Sequence, residues 1–445
     1  MQVSTMNITM TRIVLRAAAL LLLAALASTG LHAQMAAKGT FALVGARLET
    51  VSHGMIPNGT VVIRDGKIVA VGPNVTPPGD AQVIDCAGMT IYPGFIDAGT
   101  ELGLVEVGSL PETQDADEMG EITPQMQALT AVNPNSVSIP ITRTSGVTTV
   151  ITAPTGGLFP GTAALINLLG YTPDQMLVGN YRAMVMNFPS SARPWWDDRP
   201  DDEAEKSMKK AKDRLADAWQ RAVLYARIDS GYHAGRSDDR VPEFQPELAA
   251  LAPVVRGTMP VMIEVNAARD IDSALAWVKA NKVRAIFTGV AEGWRVADRI
   301  AAAGVPCIVG PVISMPSRSS DRYDKAYANA GLLRKAGVQV AIRTSENSNV
   351  RNLPYNAGFA AAYGMGREEA LRAVTIVPAQ MFGVDSLLGS LDVGKQATLF
   401  VADGDPFEPA TNVRDLFIDG YKVPMTNRQI ELYKEFIKRE PGLAK

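Results

Sequence analysis

The sequence predicts an α/β fold, a (β/α)8 barrel with a small β-sandwich assembled from both chain ends. Two observations predict it. Short strands with tight turns crowd the two ends of the chain, and apolar strand-like runs alternate with helical stretches between them. The 445 residues, 47% hydrophobic and 20% charged, are enough for a large barrel and a satellite domain. The expected organisation is a signal segment over 1–33, the first part of the sandwich over 34–92, the barrel over 93–387, and the rest of the sandwich with a closing helix over 388–445.

The first segment reads as a targeting signal. Arg12 and Arg16 precede the apolar run Ala17–Ala27, and the small-residue site Leu31-His32-Ala33 follows. Met10 would serve as a start as well as Met1. The run is shorter than the roughly 20 residues of a membrane span. The mature chain is therefore expected to begin near Gln34 and to be exported, in a bacterium to the periplasm, with no membrane contact.

Phe41–Leu48 and Thr60–Arg64 alternate as strands, and Asp65-Gly66 before Ile68–Val71 is a strong hairpin signal. The C-terminal end repeats the style with Ala397–Ala402, the turn Asp403-Gly404-Asp405-Pro406, and Val413–Ile418. An amphipathic helix over Arg428–Lys438 closes the chain, with Ile430, Tyr433 and Ile437 at helical spacing.

In the middle, the strand-like runs are Thr148–Ala153, Met184–Phe188, Val261–Val265, Ala285–Thr288, Cys307–Val309 and Val338–Ile342. Helical stretches between them include Glu203–Ala226, Ile271–Ala280, Arg295–Ala303 and Tyr323–Ala336. Apolar strands each followed by a helix imply a parallel sheet with helices outside and the active site at its C-terminal strand ends. Gly156-Gly157 and Gly161-Thr162 read as a loop after the second strand. Trp195–Arg214 reads as an extended connection over the barrel mouth, with Trp195-Trp196 at its start.

A net charge of −3 and the absence of a basic stripe argue against nucleic acid as a partner. Cys86 and Cys307 each sit in an apolar stretch and read as separately buried thiols, although an oxidising compartment would let them pair. The acidic run Glu106, Glu112, Asp115, Asp117, Glu118 and Glu121 lacks EF-hand spacing and reads as a solvated rim. His233 reads as a surface or structural residue.

The phrase Tyr92-Pro93-Gly94-Phe95-Ile96-Asp97-Ala98 resembles the amidohydrolase superfamily, in particular its imidazolonepropionase-like and prolidase-like branch. Three further stretches support the likeness in the same order. They are Gly146-Val147-Thr148-Thr149-Val150, then Arg351-Asn352-Leu353-Pro354 with Glu369–Thr375, and Leu388-Gly389-Ser390-Leu391 with Asp403-Gly404-Asp405-Pro406. The resemblance implies hydrolysis of a carbon–nitrogen bond, as in a cyclic amide or a dipeptide-like molecule. It also implies a divalent metal held by histidines, which makes hydroxide available near neutral pH.

Here the ligand positions depart from the pattern. After Asp97-Ala98 come Gly99-Thr100-Glu101 instead of His-x-His. Glu264 stands at the strand 5 ligand position, and Phe287-Thr288-Gly289 offers no histidine in strand 6. At the strand 8 aspartate, the general base, the chain reads Arg343-Thr344-Ser345-Glu346, which sets Thr344 or Ser345 there and Glu346 beside it. The three histidines of the chain are His32, His53 and His233, so a four-histidine site is beyond it. The candidate catalytic residues are thus Glu101, Glu264 and Glu346, and by resemblance Arg351 and Asn352 are candidate substrate contacts. Three readings of the carboxylates stand open: ligands of a hard divalent cation, an acid and base pair, or polar lining of an altered site. Either the protein is an exported hydrolase with an altered site, or it is an inactive relative that binds a ligand or partners a paralogous or identical subunit.

Overall fold

The computed structural model describes residues 37–192, 199–235 and 243–439. The signal segment 1–33 and Trp195-Trp196 lie outside the described residues. From Lys38 onward the chain forms one unit.

Both chain ends build one sheet. Its N-terminal strands are β1 (Phe41–Glu49), β2 (Met55–Arg64), β3 (Lys67–Gly72), β4 (Gln82–Asp85) and β5 (Thr90–Pro93). The hairpin expected at Asp65-Gly66 joins β2 to β3, with Arg64 opposite Lys67 and positive φ at both turn residues. The C-terminal strands β14 (Leu399–Ala402), β15 (Val413–Ile418) and β16 (Tyr421–Val423) complete it in the order β16-β15-β14-β5-β1-β2-β3, with β4 beside β1. The alternating residues Leu43, Leu48, Val61, Ile63, Leu399 and Phe417 bury into one cluster. The opposite residues Tyr92, Phe400 and Leu416 pack into the barrel's outer core, so the sheet is seated on the barrel by β5 and β14.

The barrel follows the order β13-β12-β11-β10-β9-β8-β7-β6. Its strands are β6 (Phe95–Thr100), β7 (Val147–Thr152), β8 (Gly161–Asn167), β9 (Leu177–Asn187), β10 (Val261–Val265), β11 (Ala285–Gly289), β12 (Cys307–Val309) and β13 (Val340–Ile342). Past the end of β13, Ser345 N donates to Gly99 O at 3.0 Å and Glu101 N to Glu346 O at 3.1 Å, which joins the two edges. One strand departs from the expected parallel pattern. At Gly161-Thr162, where the loop after the second strand ends, begins β8, a strand absent from the expected runs, and it is antiparallel to both β7 and β9. Its sequence, Gly-Thr-Ala-Ala-Leu-Ile-Asn, is buried throughout, and two glycines before it supply the reversal.

Outside the barrel lie the helices Asp201–His233, Pro246–Val255, Ala268–Asn281, Ala297–Ala303 and Lys325–Lys335. Residues 201–214 of the charged excursion form the start of the first helix, which buries Leu215, Ala218, Trp219 and Ala222 and leaves its charges to solvent. The closing helix spans Arg428–Phe436, is capped by the Asn427 side chain, and buries none of its residues. Cys86 lies in the sheet's cluster and Cys307 in the barrel's, each buried and free. Among the described residues, no helix is long and apolar enough to cross a membrane.

Candidate functional site at the barrel mouth

The two-residue period of the strands decides what enters the barrel. Met262, Ile286, Ile308 and Ala341 point inward into one apolar cluster. Two residues further along their strands stand Glu264, Thr288, Gly310 and Arg343, so the same inward column turns polar at the C-terminal ends. The pairing keeps these groups level: Glu264 is opposite Thr288, Thr288 opposite Ile308, and Ile308 opposite Ala341.

Glu264 is tied on every side. Arg343 Nη2 lies 2.8 Å from Oε2 and 3.0 Å from Oε1, Thr288 Oγ1 donates to Oε2 at 2.7 Å, and Asn266 Nδ2 donates to Oε1 at 2.9 Å. Burial alone would raise its carboxyl, but the Arg343 charge and these three donors outweigh burial and hold it below the usual range. Gly289 is needed here, because its φ is +79° and an added Cβ would fall 2.4 Å from Glu264 Oε1. Val290, next in the chain, is a β-branched residue at φ 53°, and Ser345 sits at φ 56°. Strained backbone at two strand ends of one barrel mouth is the kind of feature that functional sites retain.

Arg343 is anchored by its own Nε, which donates to Gly310 O at 3.3 Å, and only 12% of its side chain is accessible. A Cβ on Gly99 would stand 2.9 Å from Arg343 Cδ. Asp97, fully buried, accepts from Gly99 N, from Thr344 N and, at 2.6 Å, from Thr344 Oγ1. Burial dominates there, and the Asp97 carboxyl is pushed up to about 7 despite those donors and the Arg343 charge. Glu101 is raised as well, first by burial and then by the neighbouring Glu346 charge, with Arg343 opposing.

A cavity of about 360 Å³ opens on this arrangement, lined by Glu264, Asn266, Trp294, Lys325, Arg343 and Ser345 among others. Its wall is braced by charge. Lys325 Nζ lies 4.6 Å and the Arg295 guanidinium 4.1 Å from the Trp294 ring centre, and Glu292 pairs with Arg318.

Residues 284–424 match the model of the amidohydrolase family, which takes in β11 to β16. Over that stretch, the C-terminal third of the chain, it is similar to the amidohydrolase family. A curated imidazolonepropionase from Symbiobacterium thermophilum is 44% identical over 54 residues, 11% of this chain and 13% of that relative's length. Among solved structures, an amidohydrolase from Thermotoga maritima MSB8 superposes with a TM-score of 0.75 at 22% identity, over 87% of this chain and all of that one (100%). A prolidase bound to N-methylphosphonate-L-proline gives 0.53 at 17% identity, over 86% and 99%. A molinate hydrolase gives 0.53 at 17% identity, over 87% and 95%. At these identities the solved structures establish the fold.

On this barrel, the expected site residues separate into two groups. Glu264 lines the cavity, while Glu101 and Glu346 stand together at the β6–β13 seam outside its lining, where both the Glu346 and the Arg343 charges act on Glu101. Arg351 and Asn352 do not reach this cavity. They line a second, smaller hollow with Ser145, Tyr355 and Thr411, where Arg351 Nη1 donates to Ser348 O. Arg343 was not singled out from the sequence, nor were Asn266 and Lys325. The signal for Arg343 was a charged residue two positions after an inward alanine on an apolar strand.

The family's histidine-held metal does not fit these residues. His53 is exposed beside Asp392, and His233, exposed at a helix end, bonds the Asp229 carbonyl. Among the described residues, no three His, Cys, Asp or Glu side chains are placed to hold a metal ion. The acidic run after β6 is a rim in which Glu121 pairs with Arg214 and Glu106 accepts from Asn133. The loop at Gly156-Gly157 is pinned by Asn187 Nδ2, at 2.7 and 2.8 Å from the two carbonyls.

Proposed function

We propose that this protein is an exported hydrolase of the amidohydrolase family that takes a small molecule into the barrel mouth and opens a carbon–nitrogen bond without a histidine-held metal. The observation that carries the reading is the cavity of about 360 Å³ at the C-terminal strand ends, lined by Arg343, Glu264 and Lys325. That is where barrels of this kind do their chemistry, and the volume suits a small ligand. Glu101, at the β6–β13 seam beside that cavity and not in its lining, is the group suited to move a proton for a ligand that reaches the seam. Its raised carboxyl sits nearer the working pH than an ordinary one. In this reading Glu101 takes a proton from water as the oxygen adds to the carbonyl carbon, and returns it to the nitrogen as the bond to carbon breaks. Glu264, already neutralised by Arg343, is a positioning residue.

The test is amine release from a panel of cyclic amides and dipeptides by the mature protein and by Glu101→Gln. Hydrolysis lost by a factor of roughly 10² or more in the variant is expected. Full activity in Glu101→Gln would remove Glu101 from the mechanism. Export is checked by N-terminal sequencing of the mature chain, expected to begin near Gln34.

A second reading has its own support. Glu264 and Asp97 are both satisfied by protein partners, as in a site that binds and does not react. In that case the protein is a binding subunit, alone or beside an active paralogue. Compounds from the panel would then raise the melting temperature without being consumed.

A further inference from the structure

We propose that the guanidinium of Arg343 is the resident cation of the barrel mouth, standing where the family resemblance puts a divalent metal, and that Gly99 is a glycine in order to admit it. The inference rests on reading this mouth as the functional site, but not on any hydrolytic activity.

The argument is spatial first. Gly99 has no left-handed φ, so its backbone does not require glycine. What requires it is room: a Cβ there would meet Arg343 Cδ at 2.9 Å, Arg343 Cβ at 3.6 Å and Nη1 at 3.7 Å. A histidine at position 99 and an arginine at 343 are therefore alternatives.

Electrostatics gives the second argument. One guanidinium touches Glu264 in the cavity and acts through the field on Asp97 and Glu101 beside it, so a single positive charge acts on three carboxyl groups around the mouth. Glu346 adds negative charge beside Glu101, and Lys325 lines the same cavity. An arginine keeps its charge at any working pH and holds a fixed fork of donors. A divalent ion brought to Glu264 would meet that charge at contact distance, where like charges repel strongly in a partly dry site.

The third observation is that the neighbouring strand ends are tied into the same arrangement. Thr288, in the strand 6 stretch that offers no histidine, donates to Glu264, and Thr344, one of the two residues at the strand 8 aspartate, ties down Asp97.

The experiment compares thermal melts of the wild type, Gly99→Ala, Arg343→Ala and the double variant, with metal analysis of the purified wild type. Each single change is expected to lower the melting temperature by several degrees. The double variant should lose clearly less than the sum, because each change removes what made the other costly. Millimolar guanidinium chloride should raise the melting temperature of Arg343→Ala beyond sodium chloride at equal strength. It should not do so in Arg343→Ala combined with Glu264→Gln, which removes the carboxylate that the guanidinium contacts. Manganese or zinc chloride should leave the wild type unmoved relative to EDTA.

A stoichiometric divalent metal in the wild type, or its stabilisation by either salt, overturns the inference, as do strictly additive losses. Should Arg343→Ala fail to fold, the metal measurements on the wild type and the melt of Gly99→Ala still decide. An unchanged melt in Gly99→Ala counts against it. None of these readouts uses hydrolysis, so an inactive protein leaves this inference standing, and a metal-bound active one leaves the hydrolase reading standing.

Discussion

The two sides of the barrel mouth treat the same chemical group in opposite ways. On the β10–β11 side, Glu264 is held below the usual carboxylate range. On the β6–β13 side, Asp97 is pushed up to about 7 and Glu101 is raised. Hydrogen bonding alone does not separate them, since Asp97 accepts from three donors, as Glu264 does. The difference is one full charge and some water. Glu264 touches the Arg343 guanidinium and keeps 28% of its side chain accessible, whereas Asp97 is wholly buried and sees dipoles in contact and the guanidinium only at a distance. Neutral donors do not offset complete desolvation of a carboxylate; a contacting cation at a partly wet site does.

The comparison breaks most sharply if the cation is removed. Arg343→Met should leave Glu264 without its counter-charge and cost about 3 kcal/mol, toward the low end for a broken buried pair because water reaches the site. Urea unfolding of the two proteins at neutral pH measures it. A loss within experimental error would mean that Thr288 and Asn266 suffice for Glu264, and the two sides would then differ only in burial.

The pH dependence sharpens the contrast, because the two carboxyls act with opposite sign. Asp97 binds its proton more tightly folded than unfolded, so between about 4 and about 7 the folded state carries the extra proton. Stability from Asp97 is then present at low pH and falls as pH rises through that window. Glu264 binds its proton less tightly when folded, so its contribution is present above its ordinary range near 4.5 and is lost on acidification. Asp97→Asn isolates the first effect. The variant is destabilised, because an amide cannot accept from all three donors, but its deficit relative to the wild type should shrink as pH rises from about 4 to about 7. A deficit that stays flat over that range would mean that Asp97 is an ordinary carboxylate, and one that grows would mean that it is held below the usual range.

Much of the fold was legible because the signals are local. Asp65-Gly66 between alternating runs makes its hairpin, and the phrase Pro93-Gly94-Phe95-Ile96-Asp97-Ala98 carries the chain from β5 into β6. The reversed strand β8 was not legible. Its small apolar residues after two glycines look like a loop, and strand direction is set by the neighbours it pairs with. The site divides the same way. Glu264, which lines the cavity, and Glu101, at the seam beside it, are both placed near the mouth by position along a strand, which a sequence preserves. Arg343 was passed over because its role depends on Ala341 lying level with Ile308, Thr288 and Glu264, a register that four strands must agree on. Arg351 and Asn352 were drawn in by a motif that lies beside a different hollow.

The smallest expected effect concerns Glu101, and it tests whether the β6–β13 side is destabilised by its own charges. Burial and the Glu346 charge both raise the Glu101 carboxyl, so the ionised form is a cost that the fold carries at neutral pH. Glu101→Gln keeps the shape and removes that charge. Its backbone N–H still donates to Glu346 O, so the seam between β6 and β13 is left intact. The variant should be as stable as the wild type or more so, by up to about 0.5 kcal/mol, with the gain present at neutral pH and vanishing under acid, where the wild-type carboxyl is itself protonated. A loss of stability at neutral pH would show instead that Glu101 draws more from Arg343 than it loses to burial and Glu346. In that case the cation's pull on Glu101 would outweigh burial there, and the contrast between the two walls would rest on Asp97 alone.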